Sequence, residues 1–175
     1  SINTQKKVSI LLSTEPNISI DTTVISEKIN ELKVKASYNN KTIIKDTKGL
    51  DGKNAYTSIY YLLAGDDFSS WHRIRSDETW FFHQGCDLLI YFIDNEKYLQ
   101  SIQLGLTSKI LQATIPANTW FAAKPIDGSS FSLVSCVVSP GFEFDDFELG
   151  DRQTLLAQYG GSEKNIQALE RFTRK

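Results

Sequence analysis

Histidine is scarce in this sequence: among 175 residues only His72 and His83 carry an imidazole. Transition-metal sites usually take three or four side-chain ligands, so two histidines cannot complete one by themselves. Cysteine is as rare, with Cys86 and Cys136 alone, which leaves no disulfide framework and points to two reduced thiols. Methionine is absent. A formal net charge of −2 gives no electrostatic reason to expect nucleic acid or an anionic membrane as partner. No apolar run approaches 18 residues, so no transmembrane helix is predicted. The apolar stretch at 8–12 is too short and interrupted for a signal peptide, and a cytoplasmic location is the expectation. Also missing are a glycine-rich phosphate loop, a Cys-x-x-Cys pair, a Gly-x-Ser-x-Gly elbow and a basic stripe.

What remains is ordinary globular material, 41% hydrophobic and 23% charged, of a length that fits one domain with a real core. Short runs rich in β-branched and aromatic residues recur at 56–63, 79–82, 87–93, 98–104, 110–115, 120–123 and 130–138. Turn-forming clusters separate them, among them Gly65-Asp66-Asp67, Arg75-Ser76-Asp77 and Pro116-Ala117-Asn118. Many short strands at close spacing predict an antiparallel sandwich or barrel. Helices are expected only at the two ends. Residues 22–32 place Ile25, Ile29 and Leu32 on one face behind Asp21 or Thr22 as cap. Residues 151–159 set Leu155 and Leu156 inward, and Ser162 caps a last helix with Ile166, Leu169 and Phe172 as its apolar stripe. Residues 1–20 read as an extension with a strand near 8–12.

The most informative stretch is WHRIRSDETWFFHQG, residues 71–85. It sets His72, Glu78 and Gly85 at the spacing of the first cupin motif: two histidines one residue apart, then a glutamate, then a glycine. Ile74 stands at the second histidine. Phe121 stands five residues after Pro116, where the second cupin motif has its histidine. Beyond this pattern the chain resembles the cupin-5 group. The matching segments are SIYYLL (58–63), the 71–85 stretch, IPANTWFAA (115–123) and SLVSCVVSPGFEFDDFEL (132–149), which runs on into RQTLLAQY. Residues 34–46 lack the glycines that the group carries before its first barrel strand.

The resemblance implies a mostly β fold, the double-stranded β-helix or cupin jelly-roll barrel, as one domain over residues 1–175 with short flanking helices at both ends. It implies an internal cavity and a homodimer. Fold alone does not choose a reaction. Strand alternation groups His72 with Ile74, and Glu78 with Trp80 and Phe82; the cupin pattern turns both sets inward, with Phe121. His72 and Glu78 are the candidate acid–base pair, because desolvation and mutual charge shift the titration of such a pair. Its structural counterpart is a buried ion pair that fixes the turn at 75–77. Tyr60, Trp80, Phe82 and Phe121 are candidate ligand contacts, suited to a sugar ring or base. Aromatics on strands are more often plain core.

With Ile74 and Phe121 unable to coordinate and His83 at outward parity, neither a metal nor another cofactor is implied. Arg73 and Arg75 are expected to pair with Asp77 at the surface, with an anionic ligand at the rim as the alternative. Trp120 is expected to face outward toward a subunit contact, and the acidic run 143–148 to form an edge strand. Asn118 reads as a left-handed turn residue. The functional expectation is a metal-free small-molecule-binding cupin for a sugar-like or nucleotide-like ligand, with epimerase- or isomerase-like proton transfer if it is an enzyme. The alternatives are a non-catalytic binding or structural cupin and, on the fold but against the ligands, a metal-dependent oxygenase or oxalate-type enzyme.

Overall fold

The computed structural model describes residues 52–128 and 130–173. Nine strands run in chain order: β1 Thr57–Ala64, β2 Ser69–Ile74, β3 Asp77–Gly85, β4 Leu88–Ile93, β5 Leu99–Leu104, β6 Gln112–Ile115, β7 Phe121–Pro125, β8 Phe131–Ser139 and β9 Phe147–Leu149. Two helices follow, α1 Arg152–Tyr159 and α2 Glu163–Arg171. The expected helix at 22–32 and strand at 8–12 lie outside the described residues.

The strands form two antiparallel sheets, ordered β1-β8-β3-β6 and β5-β4-β7-β2-β9, the jelly-roll arrangement expected. Alternation fixes which face each strand turns inward. In β3, Glu78, Trp80 and Phe82 are buried while Asp77 is exposed and Thr79 and Phe81 are half-buried. In β8, Ser132, Val134, Cys136 and Val138 are buried between half-buried neighbours. These inner faces meet Leu63, Leu88, Ile90, Leu104, Ile115, Phe121 and Ala123 in the main core between the sheets.

A second apolar layer covers the outer face of the five-stranded sheet. Trp71, Ile93, Leu99, Trp120 and Ala122 pack there against Leu155, Ala168, Leu169 and Phe172. The Trp71 indole donates from Nε1 to the Ala168 carbonyl at 3.0 Å, tying β2 to α2. Burying a large apolar side chain is worth about 1.5–3 kcal/mol, so this layer, more than helix propensity, holds two such short helices. Both have capped starts. The Asp151 carboxylate accepts from Thr154 N at 2.9 Å and the Ser162 hydroxyl from Asn165 N at 3.2 Å.

Three expectations change here. Trp120 is 5% exposed beneath the helices, so α1 and α2 cover this face and Trp120 offers no outer surface. Ile166 is 37% exposed, and the buried residue of that turn is Asn165. Its amide donates to the carbonyls of Tyr159 at 2.7 Å and Lys97 at 3.2 Å, so hydrogen bonds rather than a third apolar contact seat α2. The acidic run is strand only over β9, the edge beside β2. It opens with a 3-10 turn at Phe144–Asp146, whose buried Asp146 carboxylate pairs with Lys53.

Candidate functional site

The segment from β2 to β3 is built to carry side chains into the space between the sheets. β2 opens with a bulge: Ser69 pairs with Ala123 of β7 and His72 with Phe121, with irregular register between them. The bulge turns Trp71 out to the helices and leaves His72 on the inner side, 5% exposed. The following turn is fixed from a distance. Asp77 accepts from Ala117 N at 2.8 Å, and Asn118 N donates to the Ile74 carbonyl at 2.7 Å. Asn118 adopts the left-handed conformation, φ 62°, as its turn position predicted. Arg73 does not pair with Asp77; its guanidinium lies 2.7 Å from the Glu148 carboxylate and stacks over the Trp120 ring at 4.7 Å. β3 ends at Gly85, φ 101°, where a Cβ would stand 1.9 Å from the Phe131 carbonyl oxygen. That approach is why the motif requires a glycine here.

His72 donates from Nδ1 to the Ser70 carbonyl at 2.7 Å. A carbonyl only accepts, so Nδ1 carries a proton, and in the neutral form of the ring the basic lone pair lies on Nε2. The imidazole is packed by Phe121, 4.1 Å between centroids, and by Phe147 of β9 at 5.4 Å and 30°. Glu78, 3% exposed, faces inward from the opposite sheet, level with Ile115 of β6 and Val138 of β8. Two residues along β3 is Trp80, 1% exposed, with Tyr61 at 5.8 Å and Phe121 at 6.1 Å. The structure thus gathers His72, Glu78, Trp80, Phe82 and Phe121 on the inner faces of the two sheets.

Tyr60 is not among them. Its ring meets His83 at 5.4 Å on the outer side of the four-stranded sheet, where the His83 imidazole also hydrogen-bonds the Ser135 hydroxyl at 2.9 Å. Desolvation lowers the His83 pKa. The inward aromatic of β1 is Tyr61, one residue on. Two adjacent tyrosines leave the phase of a strand open, and only the register with β8 settles it. Phe147 is a further residue that sequence reasoning misses, since no local pattern places β9 beside β2.

A cupin metal centre does not fit the described residues. Ile74 is buried and carries no donor atom, and the Phe121 ring lies against His72 where the last histidine of the motif would stand. Among the described residues no group of three or more His, Cys, Asp or Glu is placed to hold a metal ion.

The model of the cupin superfamily group Cupin_5 (DUF985) matches residues 29–150, and the chain belongs to this family. A protein from Shewanella oneidensis of known crystal structure is 36% identical; the match covers 77% of this chain and 85% of that one, with TM-score 0.69. A hypothetical protein from Leishmania major is 27% identical over 77% and 88%, TM-score 0.65. A dTDP sugar isomerase from Desulfovibrio desulfuricans, 14% identical over 70% and 82% with TM-score 0.50, shares the fold. No curated protein matches. Among the described residues no helix is long and apolar enough to cross a membrane.

Proposed function

We propose that the barrel binds a small polar molecule, sugar-like or nucleotide-like, between His72 and Glu78 without a metal. The observation that carries this reading is the Nδ1–Ser70 hydrogen bond, which fixes the ring and its tautomer and puts the basic lone pair on Nε2. An imidazole so oriented, inside a mainly apolar barrel with a buried carboxylate on the facing sheet, is equipped to take and return a proton. Trp80, Phe82 and Phe121 supply the apolar walls for a ring. In the enzymatic version His72 removes a proton from a carbon acid and, as an imidazolium facing the Glu78 carboxylate, returns it to the same molecule, an epimerase- or isomerase-like exchange. The sugar-isomerase neighbour sets the first ligand class to try.

A non-catalytic binding cupin is the second reading, favoured by the packing of both Phe121 and Phe147 on the His72 ring. Thermal shift with monosaccharides, nucleosides and dTDP-sugars tests binding. Incorporation of deuterium from heavy water into a stabilising compound tests proton transfer. Stabilisation without exchange selects the non-catalytic reading, and no stabilisation by any of the compounds removes both. The assembly we propose is a homodimer, supported by the half-buried Phe81, Leu133 and Val137 on the outer face of the four-stranded sheet.

A further inference from the structure

Trp80 holds a hydrogen-bond donor that nothing described in the fold uses. Its indole nitrogen is buried and has no partner among the described residues, in a side chain 1% exposed. Buried indole N–H groups normally find an acceptor. One left unmatched costs on the scale of a lost hydrogen bond, so a tryptophan used only as apolar filling is a poor choice for this position. Phe82, next on the same face of β3, fills its own place with a plain phenyl ring that carries no donor. The unmatched donor also has company. Glu78, a buried acceptor when ionised, is two residues away on the same strand face, about 7 Å along the strand. Across the barrel, the Phe121 ring touches both Trp80 and His72. Trp120 Nε1 is likewise without a partner among the described residues, but it sits in the helix-covered layer on the outer face of the five-stranded sheet, away from the inner faces that carry His72 and Glu78.

We propose that Trp80 is a specificity-determining residue of the barrel: its Nε1–H donates to an acceptor atom of the bound molecule, while Glu78 accepts from a neighbouring donor. The proposal rests on the binding reading above and narrows it to molecules that present an acceptor beside a donor. The ring oxygen and adjacent hydroxyl of a pyranose do so, as does the carbonyl and ring N–H of a pyrimidine base. On this account Trp80 works through its edge; Tyr61 and Phe121, at 70° and 88° to its plane, complete its packing.

The test compares the wild type with Trp80→Phe, which keeps an aromatic ring and removes the N–H. D-glucose, thymidine and dTDP-glucose serve as probes, followed by melting shift and by the indole N–H resonances in 15N-labelled protein. The expected result is one indole signal, missing in Trp80→Phe, that moves when a stabilising probe is added. Affinity for that probe falls about tenfold in the variant, while its melting temperature in the absence of probe falls only modestly, as the smaller ring in the core requires. A probe that stabilises both proteins equally overturns the role of Trp80 and leaves the binding reading standing. No melting shift and no movement of any indole signal with any probe overturns both. A variant that melts well below the wild type and still binds with unchanged affinity returns Trp80 to the core.

Discussion

The rings of His72 and Phe121 lie 4.1 Å apart at 52° across the β2–β7 pairing. In a metal-binding cupin the corresponding positions would both be histidines aimed at one ion. Here one of the two has become the wall against which the other is packed. The contact keeps the imidazole in place by packing where a metal bond would otherwise do so, and it leaves the ring to act through its nitrogens alone.

Asp87 makes a prediction about acid. It is 3% exposed at the start of β4 and anchors the loop after β5. Its carboxylate accepts from Thr107 N at 3.1 Å, Ser108 N at 2.9 Å and the Gln103 amide at 2.9 Å. Burial pushes its pKa up, and these hydrogen bonds outweigh the push, so the net direction is down. A group whose pKa is lower in the folded state contributes stability above its unfolded pKa and loses it as pH falls through the folded one. Asp87→Asn should therefore destabilise at pH 7 by about 1–3 kcal/mol, because an amide sets a donor against backbone N–H groups. The gap from the wild type should narrow below about pH 4. Urea denaturation at pH 7 and pH 3 measures both; a gap that widens in acid would contradict the assignment.

Gly85 is the motif residue whose role is wholly steric. Alanine there meets the Phe131 carbonyl oxygen and a positive φ together, so Gly85→Ala should cost at least about 2 kcal/mol. A Cβ at Gly161 would meet nothing within 4 Å, and Gly161→Ala provides the control, expected within about 1 kcal/mol of the wild type. Comparable melting temperatures for the two variants would show that β3 and β8 separate at little cost.

How far the sequence can be read follows from where each residue's partners lie. β3 and β8 have one face against the core, so alternation marks them and places Glu78, Trp80 and Phe82 inward. β2 stands out less as SSWHRI, because the helices bury its second face and the bulge at Ser69–His72 breaks its period. Tyr60 and Tyr61 differ only by phase, which pairing with β8 decides. The parity of Trp120 puts it on the outer face, where it does lie; its cover comes from α1 and α2, whose docking no local pattern records. Arg73 pairs with Glu148 rather than Asp77 for the same reason: the β2–β9 contact joins residues 75 apart in the chain.

The outer face of the four-stranded sheet bears on assembly. With Trp120 covered, the half-buried Phe81, Leu133 and Val137 are the apolar residues of this face that a partner copy would bury. Light scattering at micromolar concentration should give about twice the 19.8 kDa chain mass, and Phe81→Glu should shift it toward the monomer. A wild-type monomer under these conditions rules the dimer out.

The last prediction separates the two roles open to His72. Asparagine at this position retains hydrogen-bonding capacity and can reach the Ser70 carbonyl, but it has no titrating nitrogen. If His72 serves a bound molecule, His72→Asn should keep the melting temperature within a few degrees while abolishing stabilisation by the compound that raises the wild-type value. If His72 is an element of the fold, the variant should lose about 1–3 kcal/mol, the usual cost of leaving buried polar partners unmatched, and its response to compounds should stay unchanged. Loss of both together is resolved by His72→Gln, whose longer amide approaches the Nε2 position: recovery of stability without recovery of the ligand response keeps the imidazole in the binding role. Both variants lack the titrating nitrogen as well as the ring packed by Phe121 and Phe147, and a proton-transfer reaction should show the same loss in its deuterium exchange.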